Sequence, residues 1–274
     1  MIKQNLHTHS LYDDGRDTIA DMVSAAKDKG FTILGFSGHA YNPVDAGSMT
    51  PEKTKLYKAQ VQAFKDNPPE GMEIFLGIEE DSLTPVNPEE YDYVIGSVHY
   101  LQKDGNLYAI DYSKEEFERM LQEGWNNDIY ALSQAYYKAI AQQAKNSRID
   151  IIGHLDLITK YNEEETYFAF DDPILIDQAK QAIKKLVGAG KLFEMNTGAI
   201  GRGYRKTPYP SIPLLKAIQE AGGGLLINTD CHNREYLDIG MSECLRLAKE
   251  AGFTHLYALT KQGFVKTPIK DFEF

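Results

Sequence analysis

Apolar and polar positions fall into a unit that recurs along the whole chain. A short apolar run is followed by a polar residue or two, a loop, and a stretch with apolar residues at helical spacing. The stretches 2–6, 31–36, 73–78, 91–98, 149–153, 191–195, 224–228 and 255–259, most of them rich in apolar residues, predict short strands. Between them, residues 17–29 carry helical spacing and stop at Gly30, and a second helix opens on Thr50-Pro51 and runs to about Asp66. Residues 113–146 read as two helices broken near 124–127, Asp171-Asp172-Pro173 opens a helix reaching about Ala189, and further helices are expected at 211–221 and near 241–251. Strands that alternate with helices imply βα units and a parallel sheet. Seven or eight such units in 274 residues predict a closed or distorted α/β barrel. No fixed repeat, linker or low-complexity tract divides the chain, so residues 1–274 are read as one domain.

Composition narrows the partners rather than the fold. A net charge of −11 argues against nucleic acid and anionic membranes, both of which call for a basic footprint. It leaves room for a phosphorylated small molecule, since bound metals and a few arginines override the global field locally. Cys231 and Cys244 are too few for a disulfide framework and fit a reducing compartment. The opening Met-Ile-Lys-Gln-Asn has no signal-peptide pattern, and no apolar run approaches the roughly 18 residues of a membrane span. A soluble, cytoplasmic protein is expected.

Candidate chemistry lies in the histidines. His7 and His9 follow the first predicted strand, and residues two apart on a strand share a face, so both rings aim at one point. Of the seven histidines, six (His7, His9, His39, His99, His154 and His232) fall at or just past the C-terminal end of a predicted strand. In a βα barrel that end is the active-site face. Glu79 sits at the same level, and Asp230 with His232 repeats the spacing of His7 with His9, leaving Cys231 to point away. His255 begins a strand at the opposite end and reads as structural. Six imidazoles and two carboxylates exceed what one metal binds, so two or three divalent ions (zinc, iron or manganese) are the expected cofactors.

The set His7-Thr8-His9, Ser37-Gly38-His39, Gly77-Ile78-Glu79, Gly96-Ser97-Val98-His99, Gly153-His154 and Asp230-Cys231-His232, in that order, resembles the polymerase-and-histidinol-phosphatase (PHP) superfamily. Within it the resemblance is to the branch of monofunctional histidinol-phosphate phosphatases. It implies a single distorted (βα)7-type, TIM-like barrel with a trinuclear metal site at the C-terminal ends of the strands. Carried over by position, His7, His9, Glu79 and Asp230 would hold one metal. His39 and His232 would hold the second with a carboxylate from the loop after His9. Many relatives have histidine there; here Asp14 is the best match, with Asp13 the alternative, and a carboxylate shifts preference towards harder cations. His99 and His154, with Glu79 bridging, would hold the third.

The implied reaction is hydrolysis of L-histidinol phosphate to L-histidinol and phosphate in histidine biosynthesis. A divalent cation lowers the pKa of a water it binds, so attack by metal-bound hydroxide needs no serine, cysteine or aspartate nucleophile, and Cys231 reads as packing. Asp230, His232 and Glu79 are the candidate catalytic residues. The glycine-rich stretch 196–206 follows a strand on the active face, and its Arg202 and Arg205 suit bidentate phosphate contact, with Lys160 a further candidate substrate contact. Glu80 and Asp81 are candidates for the substrate amine. The competing readings are a PHP-type phosphoesterase for a nucleotide or phosphotyrosine, a metal-dependent amidohydrolase, and a non-catalytic metal-binding barrel. The late Asp-x-His pair fits the phosphoesterase pattern better than the amidohydrolase one.

Overall fold

The apolar runs become very short strands whose side chains are nearly all buried, in a computed structural model that describes residues 1–274. In chain order the first half comprises β1 (Gln4–Asn5), α1 (Ile19–Asp28), β2 (Ile33–Phe36), α2 (Pro51–Asp66), β3 (Glu73–Asp81), β4 (Tyr93–Ser97), β5 (Tyr100–Lys103), β6 (Asn106–Ala109) and α3 (Lys114–Arg119). The second half comprises α4 (Ile129–Gln142), β7 (Ile151–Ile152), α5 (Pro173–Gly188), β8 (Leu192–Asn196), α6 (Gly198–Gly201), α7 (Ile212–Glu220), β9 (Gly224–Asn228), α8 (Met241–Glu250), β10 (His255–Thr260) and β11 (Gly263–Pro268).

Seven strands form one sheet in the order β1-β2-β3-β4-β7-β8-β9, and every neighbouring pair is parallel. The two ends of the sheet meet. Thr8 bridges Cys231, the His9 N–H donates to the Cys231 carbonyl at 3.0 Å, and the Leu6 N–H donates to Asn228 Oδ1 at 2.8 Å. Because a side chain takes the Leu6 donor, no regular ladder closes β1 to β9. The result is a nearly closed, distorted barrel of seven parallel strands. Tyr93 crosses its interior and donates to the Leu6 carbonyl, just beneath the first histidine. A Cβ on Gly77 would stand 2.2 Å from the Tyr93 ring, so that crossing requires glycine.

The helix starts follow the expected chemistry. Thr18 and Asp21 form a capping box on α1, Thr50 caps α2 with Pro51 in the first turn, and Asp172 accepts from the N–H groups of Ile174 and Leu175 at the start of α5. The break at 124–127 is real: a wide turn at Met120–Gly124 follows α3, and Asn126 and Asn127 both take positive φ before Asp128 caps α4. The last predicted strand, β10, is not a barrel strand. It pairs antiparallel with β11, and Gln4 tethers it to β1 by donating to the Tyr257 carbonyl and accepting from the Leu259 N–H. Three pieces were not expected: β11 itself, the β5–β6 hairpin, turned by Asp104-Gly105 at positive φ, and the single helical turn α6 inside the 196–206 stretch. No helix is long and apolar enough to cross a membrane.

Candidate metal centre

Parallel strands place all their C-terminal ends at one mouth, and this geometry gathers the chemistry. His7 and His9 follow β1, His39 follows β2, Glu79 lies in β3, and His99 follows β4. His154 follows β7, while Asp230 and His232 follow β9. They converge at a cavity of about 550 Å³, lined by the more exposed members, with His7 and His9 buried. His255, at the start of β10, does not line it.

Glu79 is the centre of the group. Its Oε1 lies 3.1 Å from His154 Nε2 and 3.5 Å from His99 Nε2; its Oε2 lies 2.9 Å from His39 Nδ1 and 3.3 Å from His7 Nε2. Asp230 Oδ1 stands 3.1 Å from His9 Nε2 and 3.7 Å from His7 Nε2. Asp230 itself has φ of +48°, a conformation aspartate tolerates better than most residues. At the outer edge Asp14 stands 3.2 Å from His232 Nε2 and 3.8 Å from His39 Nε2.

These donors fit cations. His7 Nε2, His9 Nε2 and Glu79 Oε2 are buried with no hydrogen-bond partner, and an unsatisfied buried polar group costs about 1–3 kcal/mol. Three sets of ligand atoms lie mutually within an ion's reach: His7, His9 and Asp230; His9, Asp14, His39 and His232; and His39, Glu79 and His99. His9 and His39 each belong to two sets, so the ligands are shared more widely than a one-metal-per-set assignment expects. The electrostatics agree. Burial works against ionising Glu79 and Asp230, yet both stay well below the usual carboxylate range, Glu79 beside His7 and His39 and Asp230 beside Arg202 and His7. Burial likewise pulls the His9 ring down, but the Asp13 carboxylate helps carry it up to about 9. A cluster that holds these carboxylates ionised and draws protons onto His7, His9, His39 and His99 is one that demands positive charge.

Asp13 and Asp14 differ in burial and partners. Asp13 is spent internally, accepting from the Ser10 and His39 N–H groups and from His9 Nδ1, whereas Asp14 is 41% exposed and faces His9, His39 and His232. Arg202 lines the cavity, donates to Asp230 Oδ2 at 3.1 Å, and keeps a buried Nε with no partner. This approach needs Gly198, where a Cβ would stand 2.6 Å from Asp230 Oδ2 and 2.9 Å from Arg202 Nη2.

Arg205 is a correction. Its side chain is 1% exposed, does not line the cavity, is sandwiched by Phe170 and Tyr209, and donates to Thr159 and Thr207. A guanidinium so enclosed holds the rim together and cannot reach a phosphate in the cavity. Lys160 does line the cavity, but Asp111 takes its Nζ through both the carbonyl (2.7 Å) and the carboxylate (3.0 Å). Glu80 and Asp81 also turn away: Glu80 accepts from Asn146 and the Val86 N–H, and Asp81 from the Leu83 and His99 N–H groups. Apart from the ligand cluster, the carboxylates that line the cavity are Asp45 and Asp111. Cys231 is buried with its thiol pushed up to about 12 by burial, so it supplies no thiolate.

Comparison with known proteins adds a family and a fold. The PHP domain is matched over residues 5–198. A probable histidinol-phosphatase of Schizosaccharomyces pombe is 26% identical over 281 residues, covering 93% of this chain and 89% of its own length. One from Deinococcus radiodurans is 28% identical over 263 residues, covering 90% and 92%. The solved structure of histidinol phosphate phosphatase from Lactococcus lactis, complexed with zinc, L-histidinol and phosphate, superposes with a TM-score of 0.68 at 20% identity, covering 96% of this chain and 99% of that one.

Proposed function

The chain belongs to the PHP domain family, and from that membership and the site we propose that it is a metal-dependent phosphomonoesterase that hydrolyses L-histidinol phosphate to L-histidinol and phosphate. Relatives that carry the histidinol-phosphatase name match it over nearly their whole length, which supports the substrate. The observation that carries the reading is the meeting, at and just beneath one cavity, of partnerless buried imidazole and carboxylate atoms with the guanidinium of Arg202.

In this reading His7, His9, Glu79 and Asp230 hold one divalent cation, Asp14, His39 and His232 a second, and Glu79, His99 and His154 a third. Such cations, when bound, supply a nucleophile at neutral pH and neutralise charge on the phosphoryl oxygens. Arg202, held by its hydrogen bond to Asp230 and with Nη1 3.0 Å from His232 Nδ1, brings its positive charge to the cavity wall where a phosphate oxygen would sit. Lys160 adds positive charge to the same cavity while Asp111 fixes its position. The acidic balance of the whole chain suits a small-molecule substrate better than a nucleic acid, and a cytoplasmic place in histidine biosynthesis follows from this reading.

The test is phosphate release from L-histidinol phosphate beside a nucleoside monophosphate, phosphotyrosine and a cyclic amide, on protein whose metals have been counted. Release confined to L-histidinol phosphate and lost in His9→Ala is expected. Equal release across the phosphate esters would replace the substrate, and amide hydrolysis alone would replace the reaction class.

A further inference from the structure

One buried carboxylate is used by none of the metal assignments. Glu194 lies on β8 with no exposed surface, and every group that meets it is a hydrogen-bond donor. Its Oε1 accepts from the His154 N–H at 2.9 Å and Asn196 Nδ2 at 2.7 Å, its Oε2 accepts from Asn228 Nδ2 at 2.8 Å, and His7 Nδ1 stands 3.1 and 3.0 Å from the two oxygens. The two amides cannot turn round without loss, because Asn196 Oδ1 accepts from the Gly198 N–H and Asn228 Oδ1 from the Leu6 N–H. With donors already fixed on both of its oxygens, Glu194 offers His7 an acceptor, so when the His7 ring is neutral, as a metal ligand must be, its one hydrogen sits on Nδ1. That leaves a lone pair on Nε2, the atom that is buried without a partner 3.3 Å from Glu79 and 3.7 Å from Asp230. Asp13 repeats the arrangement at His9, with its carboxylate 2.6 Å from Nδ1 and Nε2 again left open.

We propose that Glu194 is a positioning residue that holds the hydrogen of His7 on Nδ1 and so keeps Nε2 open for the divalent cation that His7 shares with His9 and Asp230. The proposal rests on the metal reading above and is independent of which ester is hydrolysed. It also explains why β8, a strand with no ligand of its own, carries an acid in its interior. Through Asn196, whose Nδ2 also lies 3.4 Å from Asp230 Oδ2, and through the backbone of His154, the same carboxylate joins ligands from β1, β7 and β9. Glutamine cannot replace it. Its amide nitrogen would face a donor at either position, and its one remaining oxygen would be shared between those donors and His7 Nδ1, so the hold on the Nδ1 hydrogen weakens and Nε2 is no longer kept open.

The test uses zinc alone. Metal-stripped wild type and Glu194→Gln, each shown folded by circular dichroism, are titrated with zinc against a competing chelator. Loss of a partner behind a metal-bound histidine costs about 10- to 100-fold in affinity, and that weakening is expected at the tightest site. Zinc binding unchanged in a folded Glu194→Gln variant overturns the proposal. Should the variant not fold, the ring nitrogens of His7 in zinc-loaded wild type decide by ¹⁵N NMR: a protonated Nδ1 supports the proposal, and a protonated Nε2 overturns it. Wild type that binds no zinc would instead bring down the metal reading, and this proposal with it.

Discussion

Arg202 and Arg205 stand on the same short segment, and burial separates their roles. Arg202 lines the cavity with an unpartnered Nε, so Arg202→Ala should raise the KM for the phosphate ester about 10- to 100-fold, the equivalent of about 1.5–3 kcal/mol for charge-assisted hydrogen bonds, with the metal count unchanged. Steady-state kinetics on metal-counted protein checks this. Arg205 is enclosed by Phe170, Tyr209, Thr159 and Thr207, with Glu163 3.6 Å away. Arg205→Ala should therefore act on stability, by about 3 kcal/mol and a Tm fall of several degrees in a thermal melt, rather than on phosphate affinity. Both arginines were legible as cations near the mouth. Which one faces the cavity was not, because the chain turns between them at Gly203, with φ of +78°, and sequence spacing does not encode that turn.

At the scale of elements, strand ends and helix caps were the most legible features, since both are local. Asp172 shows it: side chain, Pro173 and helix start were all expected, and the carboxylate accepts from Ile174 and Leu175 N–H groups as a cap should. Asp172→Ala should cost about 1 kcal/mol and lower Tm by about 2–4 °C while leaving kcat unchanged, measured by melting and turnover on one preparation. The β5–β6 hairpin was missed although Asp104-Gly105 is a hairpin turn signal, because its flanks carry little apolar alternation. Glu194 left a trace that could have been followed: one acid inside a run expected to be buried demands a partner.

For the molecule as a whole, the barrel brings imidazoles from the ends of five strands against shared carboxylates, and their titration becomes a collective property. The His9 ring, carried up to about 9, holds a proton at pH 7, yet a metal ligand must be neutral. Zinc loading should then release protons at pH 7, and apparent affinity should rise with pH until about 9. Calorimetric titration in two buffers of different ionisation enthalpy measures the release; identical heats in both would contradict it.

Strand spacing, helix caps, the His-x-His and Asp-x-His pairs and the candidate ligands followed from residue order alone, because periodicity and capping depend on neighbours within a few positions. The partners of those ligands did not. That Asp13 braces His9 while Asp14 faces outwards, that Arg205 is walled in while Arg202 reaches the cavity, and that Glu194 stands behind His7 all depend on how seven strands from distant parts of the chain meet. Only closing the barrel decides which side chains are left without a partner, and those unpaired atoms are where the chemistry is held.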